Sequence, residues 1–204
     1  MHIQEICRHS PERPIVLFFL GYAFTPKSIA HLSSNHYDLS VVYDYRNLDF
    51  DKSFLKDRKI LLIAHSMGVW AANRVLKDIP LKQAIAVNGT PFGIHERFGI
   101  SPQAFKSSID RFDFELFKKW CFLSDASKVN FSFAENPKEE LCTLYEASTE
   151  PVEQDVTWTK AIVSKKDLVF PPKASECFKC PVKPISAPHY PFFKFRSVEE
   201  ILAF

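Results

Sequence analysis

The chain has 204 residues, 46% of them hydrophobic, and a formal net charge of +2. That is material for one globular domain with a sizeable core, and the near-balance of charge excludes a surface built mainly to neutralise nucleic-acid phosphates. The charged opening "MHIQEICRHSPERP" lacks the continuous apolar stretch of a signal peptide, and no later segment nears the ~18 apolar residues of a membrane span. A cytoplasmic monomer without a membrane partner is expected, its five scattered cysteines reduced.

The run "PIVLFFLG", residues 14 to 21, is β-branched, aromatic and uncharged, and it closes on glycine; it predicts a central parallel strand buried on both faces. In "FTPKSIAHL", Thr25 as a cap and Pro26 in the first turn predict a helix. "YDLSVVYDY" and "KILLIAH" read as further strands, separated by segments long enough for crossovers. After Ser66, "MGVWAANRVL" has helical spacing, and "QAIAVNGT" returns to strand character. This alternation predicts a mostly parallel sheet with helices on both faces, a fold in which ligands bind beyond the carboxyl ends of the strands.

From about residue 91 to 155 the alternation stops and the chain becomes helical and aromatic, which predicts an insertion into the single domain. Ser101 before Pro102 marks a helix start. In "RFDFELFKKWCFL", apolar residues occupy two faces, Phe114, Phe117 and Cys121 on one and Phe112, Leu116 and Trp120 on the other. One face can cover the sheet and the other a ligand cleft, or both can be buried within the insertion. Sheet character resumes with "VTWTKAIVS", residues 156 to 164, then the loop "KKDLVFPP", a last strand "VKPIS", and "APHYPFF". Ser197 and Glu200, at capping-box spacing, predict a C-terminal helix.

Ser66 lies in Ala64-His65-Ser66-Met67-Gly68, between a strand and a helix. A serine on such a tight turn projects its hydroxyl above the sheet, and small residues two before and two after relieve crowding. Ala64 stands where the first glycine usually does, so the pentapeptide alone fits a structural turn as well as a nucleophile. A serine nucleophile needs a base, and the base needs an acid to hold its tautomer. His189, directly after the last strand, is the candidate base, and His95, where the insertion begins, is the other downstream histidine. Asp167 follows the "TKAIVS" strand and is the candidate acid, whereas Asp155 precedes that strand at the wrong end. Serine, aspartate, histidine is the chain order of α/β hydrolases. An oxyanion hole requires preorganised NH donors. Met67 NH and Tyr22 NH are the candidates, with Gly21 letting the backbone turn closely; Gly21 and Gly68 are two of only five glycines.

Together, "FFLGYAFTP", "AHSMGVWAA", "AVNGTPFGI", "SKKDLVFPP" and "APHYPFF" resemble the BioG-type pimeloyl-acyl-carrier-protein methyl ester esterases of the α/β-hydrolase superfamily, over nearly the whole chain. The resemblance implies an α/β-hydrolase fold, a catalytic triad of Ser66, Asp167 and His189, and a helical lid over residues 91 to 155. It also implies a substrate, the methyl ester of pimeloyl-acyl carrier protein, and no cofactor. A pimeloyl chain is apolar between its ends, so Phe112, Phe114, Phe117 and Trp120, with Gly21 and Tyr22, are the expected binding residues. The carrier protein is acidic, and Arg111 and Lys118 are the lid cations chosen as its contacts, against a background of scattered solvated charge. Two departures accompany the resemblance: His65 and Tyr22 stand where tryptophan is common among relatives. Adjacent to Ser66 on an extended strand, His65 should point to the opposite side as a packing or cleft-edge residue. Cys177 and Cys180 have metal-ligand or redox spacing, but no second pair completes a zinc site, and no metal is expected.

Overall fold

The computed structural model describes residues 1–10, 12–150 and 155–204. Among them, seven strands form one sheet: β1 His2–Cys7, β2 Ile15–Phe19, β3 Asp38–Tyr43, β4 Ile60–His65, β5 Leu81–Val87, β6 Lys160–Lys166 and β7 Val182–Pro188. Their order across the sheet is β1-β3-β2-β4-β5-β6-β7. Every pairing is parallel except β1 with β3. The central strands are apolar on both sides because both faces are covered. Alternate residues of β2 enter two separate cores, Ile15, Leu17 and Phe19 on one face and Val16, Phe18 and Leu20 on the other. Helix α1, Met67–Val75, covers the first face through Trp70 and Ala71, and α5, Val198–Ala203, covers the second through Val198, Ile201 and Leu202.

The segment between β5 and β6 holds α2 Pro102–Asp110, α3 Phe114–Phe122 and α4 Pro137–Ala147. Residues 151–154, at the end of the expected insertion, lie outside the described residues. Ser101 Oγ accepts from Ala104 N at 3.2 Å, capping α2. Asp113 does the same for α3, taking Leu116 N at 2.9 Å, so this helix starts after the Phe112 at which the aromatic run begins.

Two expectations are corrected, and one strand was missed. Thr25 and Pro26 open only a short 3-10 turn, Pro26–Ile29, and the Thr25 hydroxyl is not a cap: it donates to Ser132 O at 2.7 Å. The link from β3 to β4 likewise contains a 3-10 turn, Ser53–Leu55, with no α-helix. Strand β1 was hidden because it is an edge strand with almost no buried side chain, and so carries no apolar alternation.

Candidate active site

The carboxyl ends of β4, β6 and β7 meet at one place. Ser66 follows β4 with φ 55 and ψ −128, a left-handed conformation costly for a residue with a side chain. The turn tolerates no bulk at Gly68: a Cβ there would lie 2.3 Å from Leu20 O, where α1 starts against the end of β2. This is the sharp strand-to-helix turn that the sequence suggested, with Ala64 accommodated within the core below it.

His189 Nε2 lies 3.0 Å from Ser66 Oγ. On its other side, His189 Nδ1 is 2.9 Å from both Asp167 carboxylate oxygens. An Nδ1–H donating to Asp167 leaves Nε2 as the acceptor for the serine proton. Asp167 is itself fixed, since Oδ1 accepts from Val169 N at 2.7 Å and Phe170 N at 3.0 Å. The histidine side chain is 1% exposed and the carboxylate 6%, so water competes weakly for these contacts.

The other candidates are placed elsewhere. Asp155 accepts an ion pair from Lys77 at 3.5 Å, beyond the end of α1. His95 Nδ1 accepts from the Arg97 and Phe98 backbone NH groups, both at 3.0 Å, within its own turn. His65 is buried on the face opposite α1, against Phe24 and Phe192, as its position beside Ser66 required.

Sequence reasoning missed that Asn88 and His65 both hold the His189 carbonyl. The His189 carbonyl accepts from Asn88 Nδ2 at 2.6 Å and is 3.1 Å from His65 Nε2, which must donate to it. Asn88 also accepts from Ser164 N at 2.7 Å and donates to Ser164 Oγ at 2.8 Å, pinning the end of β6 to that of β7. In sequence, Asn88-Gly89-Thr90-Pro91 resembles a hairpin turn but suits an end-of-strand turn entering the insertion, and Asn88 takes the positive φ of 48 that asparagine tolerates in turns. Burial, and then the neighbouring His189, hold the His65 imidazole well below its usual range and therefore neutral. A charge developing on His189 then meets no like charge from this neighbour.

A cavity of about 450 Å³ opens over Ser66. Tyr22 and Met67 line it beside the serine, and Phe112, Phe117, Trp120, Leu116, Leu141 and Leu168 supply much of its apolar wall. Of the two faces of α3, Leu116 and Trp120 border the cavity while Cys121 and Phe122 are buried in the sheet-side core, so the helix does cover two things. Phe114 is not at the cavity wall; it packs edge-on against Phe133 with ring centroids 4.9 Å apart. Gly21 lies just behind the site, where a Cβ would come within 2.9 Å of the His65 ring and 3.0 Å of Ser66 Cβ. Arg111 reaches the cavity, whereas Lys118 pairs with Glu115 at 3.5 Å. Cys177 and Cys180 are free thiols, both pushed up by burial, and among the described residues no cluster of three or more histidine, cysteine or acidic side chains is placed to hold a metal. Among the described residues, no helix is long and apolar enough to cross a membrane.

This sheet, with a serine turn after its central strand, is the α/β-hydrolase fold. An enol-lactonase from Burkholderia xenovorans shares it, with a TM-score of 0.66 at 13% identity over 92% of this chain and 88% of that one. Within that fold the chain belongs to the BioG family: the family described as "Pimeloyl-ACP methyl esterase BioG" matches residues 1–201. The crystal structure of BioG from Haemophilus influenzae superposes with a TM-score of 0.90 and 28% identity, covering 99% of this chain and all of that one, 100%. A Bacteroides fragilis protein named malonyl-[acyl-carrier protein] O-methyltransferase is 37% identical over 173 residues, 79% of this chain. The match spans only 35% of that longer relative.

Proposed function

We propose that this chain is a serine esterase that converts the methyl ester of pimeloyl-acyl carrier protein to pimeloyl-acyl carrier protein and methanol, in the cytoplasm, on the way to biotin. The observation that carries the reading is the contact chain Asp167–His189–Ser66 at the floor of an apolar cavity, in a member of this family. His189 Nε2 takes the Ser66 proton as Oγ attacks the ester carbonyl, and Asp167 holds the ring and stabilises the imidazolium. The backbone NH groups of Tyr22 and Met67 receive the oxyanion. Collapse breaks the bond to the methoxy oxygen, which leaves as methanol with the proton from His189. Water, deprotonated by the same nitrogen, then attacks the acyl-serine, releases the carboxylic acid and returns the proton to Ser66.

The substrate fits the wall. An uncharged methyl ester and its methylene chain gain from the apolar lining, while the product carboxylate is poorly solvated there, which favours its release. Arg111 at the cavity and Lys118 on α3 are the proposed contacts of the acidic carrier protein, and residues 91 to 155 act as the lid of a single-domain monomer.

The test is turnover of pimeloyl-carrier methyl ester by the native chain and by Ser66→Ala, with fluorophosphonate labelling of both and rescue of a biotin-requiring strain lacking its methyl esterase. Methanol release by the native chain, and loss of labelling and of ~10⁴–10⁶ in rate with Ser66→Ala, are expected. Thioester cleavage with the methyl ester left intact would point to a thioesterase. Absence of labelling in the native chain would point to a catalytically silent carrier-binding module.

A further inference from the structure

The helical segment does more than roof the cavity, because one of its side chains is buried in the machinery below. Glu140, on α4, is 1% exposed, and its two carboxylate oxygens are divided between two strand-end loops. Oε2 accepts from Ala23 N at 3.0 Å, after β2, and Oε1 accepts from Tyr45 N at 3.1 Å, after β3. Ala23 sits at φ 63, a left-handed backbone at a residue with a Cβ, immediately after Tyr22. That conformation persists only where surroundings over-determine it. The same segment also grips Ala23 from its other side, with Ala134 N donating to Ala23 O at 2.9 Å. The next residue of α4, Leu141, lines the cavity, so one helix touches both the acyl site and the loop.

We propose that Glu140 is a positioning residue that ties α4 to the Gly21–Ala23 loop and thereby holds the Tyr22 NH where the oxyanion forms; this rests on the esterase reading above. Nothing else in the chemistry uses this carboxylate. Burial of an acid is unfavourable, and its retention with both oxygens committed to backbone donors is explained by a loop that needs fixing. The ionised group satisfies both NH donors, whereas protonation of either oxygen sets an O–H against one of them. Burial pushes the Glu140 carboxyl up to about 7, opposed by the Tyr45 and Ala23 NH bonds. Of the charged groups facing it, Asp44 raises and Arg46 lowers this value, and Arg46 is itself paired with Asp44 and Glu139. The Met1 amino group and the phenols of Tyr22 and Tyr45 also lie within its field.

Glu140→Gln is the discriminating variant, because the neutral amide keeps one acceptor and turns a donor toward the second NH. Its kcat on a short nitrophenyl ester should fall roughly tenfold to a hundredfold at pH 8, less than the ~10²–10³ for deleting an oxyanion donor, with KM changed under about threefold. The native-to-variant ratio should shrink toward one by pH 6, where native Glu140 is itself protonated. A merely structural role gives a ratio that does not vary with pH, and a folded variant with native kcat or such a constant ratio overturns the proposal. If the variant does not fold, the native chain decides: the amide resonances of Ala23 and Tyr45 should titrate together with a midpoint near 7, and fixed resonances between pH 5.5 and 8.5 overturn it. Ser66→Ala, run alongside, separates the two readings. Undiminished turnover by that variant removes the esterase reading and the proposal with it, whereas an inactive Ser66→Ala with a pH-independent Glu140→Gln ratio removes the proposal alone.

Discussion

The strand ends and the helical segment between β5 and β6 solve different problems by different means. At the strand ends, Ser66, Asp167 and His189 are held by short polar contacts between backbone-anchored groups, with Asn88 and His65 locking the His189 carbonyl from behind. The helical segment is held mainly by aromatic contacts, most of them tilted, as among Phe24, Phe122, Phe131, Phe133 and Tyr190. Polar contacts of this kind specify position to fractions of an ångström, whereas apolar packing specifies volume and tolerates rearrangement. The proposed reactive groups therefore sit at the strand ends of the sheet, and much of the candidate cavity wall sits on the helices. Several bonds bridge the regions, and two of them, Tyr190 N to Cys121 O at 2.9 Å and Ala23 N to Glu140 Oε2 at 3.0 Å, start one residue from a group with a proposed catalytic role.

Asp167→Asn should break the comparison most sharply at the sheet. Loss of the acid disturbs the His189 tautomer while leaving the cavity intact, so kcat should fall by about 10⁴ with KM little altered, in steady-state assays above pH 7. A loss below about tenfold would mean that the polar contacts are not what sets the rate.

The next effect tests the bridge through stability. The folded carboxyl of Glu140, raised to about 7 from an ordinary 4.5, binds its proton more tightly than the unfolded chain does. Its contribution is fully present below 4.5 and is lost as pH rises toward 7, on the order of 3 kcal/mol in all. Urea titrations should show native stability falling relative to Glu140→Gln between pH 5 and pH 8. The ionised form that serves the loop is the less stable one, a conflict typical of functional sites. Parallel curves would place Glu140 in a wetter, less demanding setting.

The smallest effect belongs to the cavity wall. Trp120 is 37% exposed at its rim, so Trp120→Ala should cost about 1 kcal/mol of acyl binding, seen as a KM several-fold higher for seven-carbon than for two-carbon esters, with kcat nearly constant. An equal change for both esters would show that the acyl chain does not run along α3.

The proposed triad residues were legible because each stands directly after a strand, and parallel strands bring their carboxyl ends together whatever the intervening sequence contains. The candidate pocket was legible only in part. Phe112, Phe117 and Trp120 reach it and Phe114 does not, because α3 begins after Phe112 and its rotation is set by the burial of Cys121 and Phe122. Thr25 failed as a helix cap because a distant carbonyl, that of Ser132, took its hydroxyl.

By itself, the sequence determined the order of the strands from β2 onward, the helix after Ser66, the serine turn, and the candidate acid and base downstream, since these follow from hydrophobic period, glycine placement and chain direction. Only the tertiary structure decided which polar groups support them. Asn88 and His189 are separated by 101 residues and Ala23 and Glu140 by 117, and at such distances in the chain no local pattern pairs a donor with its acceptor. A buried hydrogen bond is selected by the packing that excludes water around it, and that packing exists only once the fold has closed.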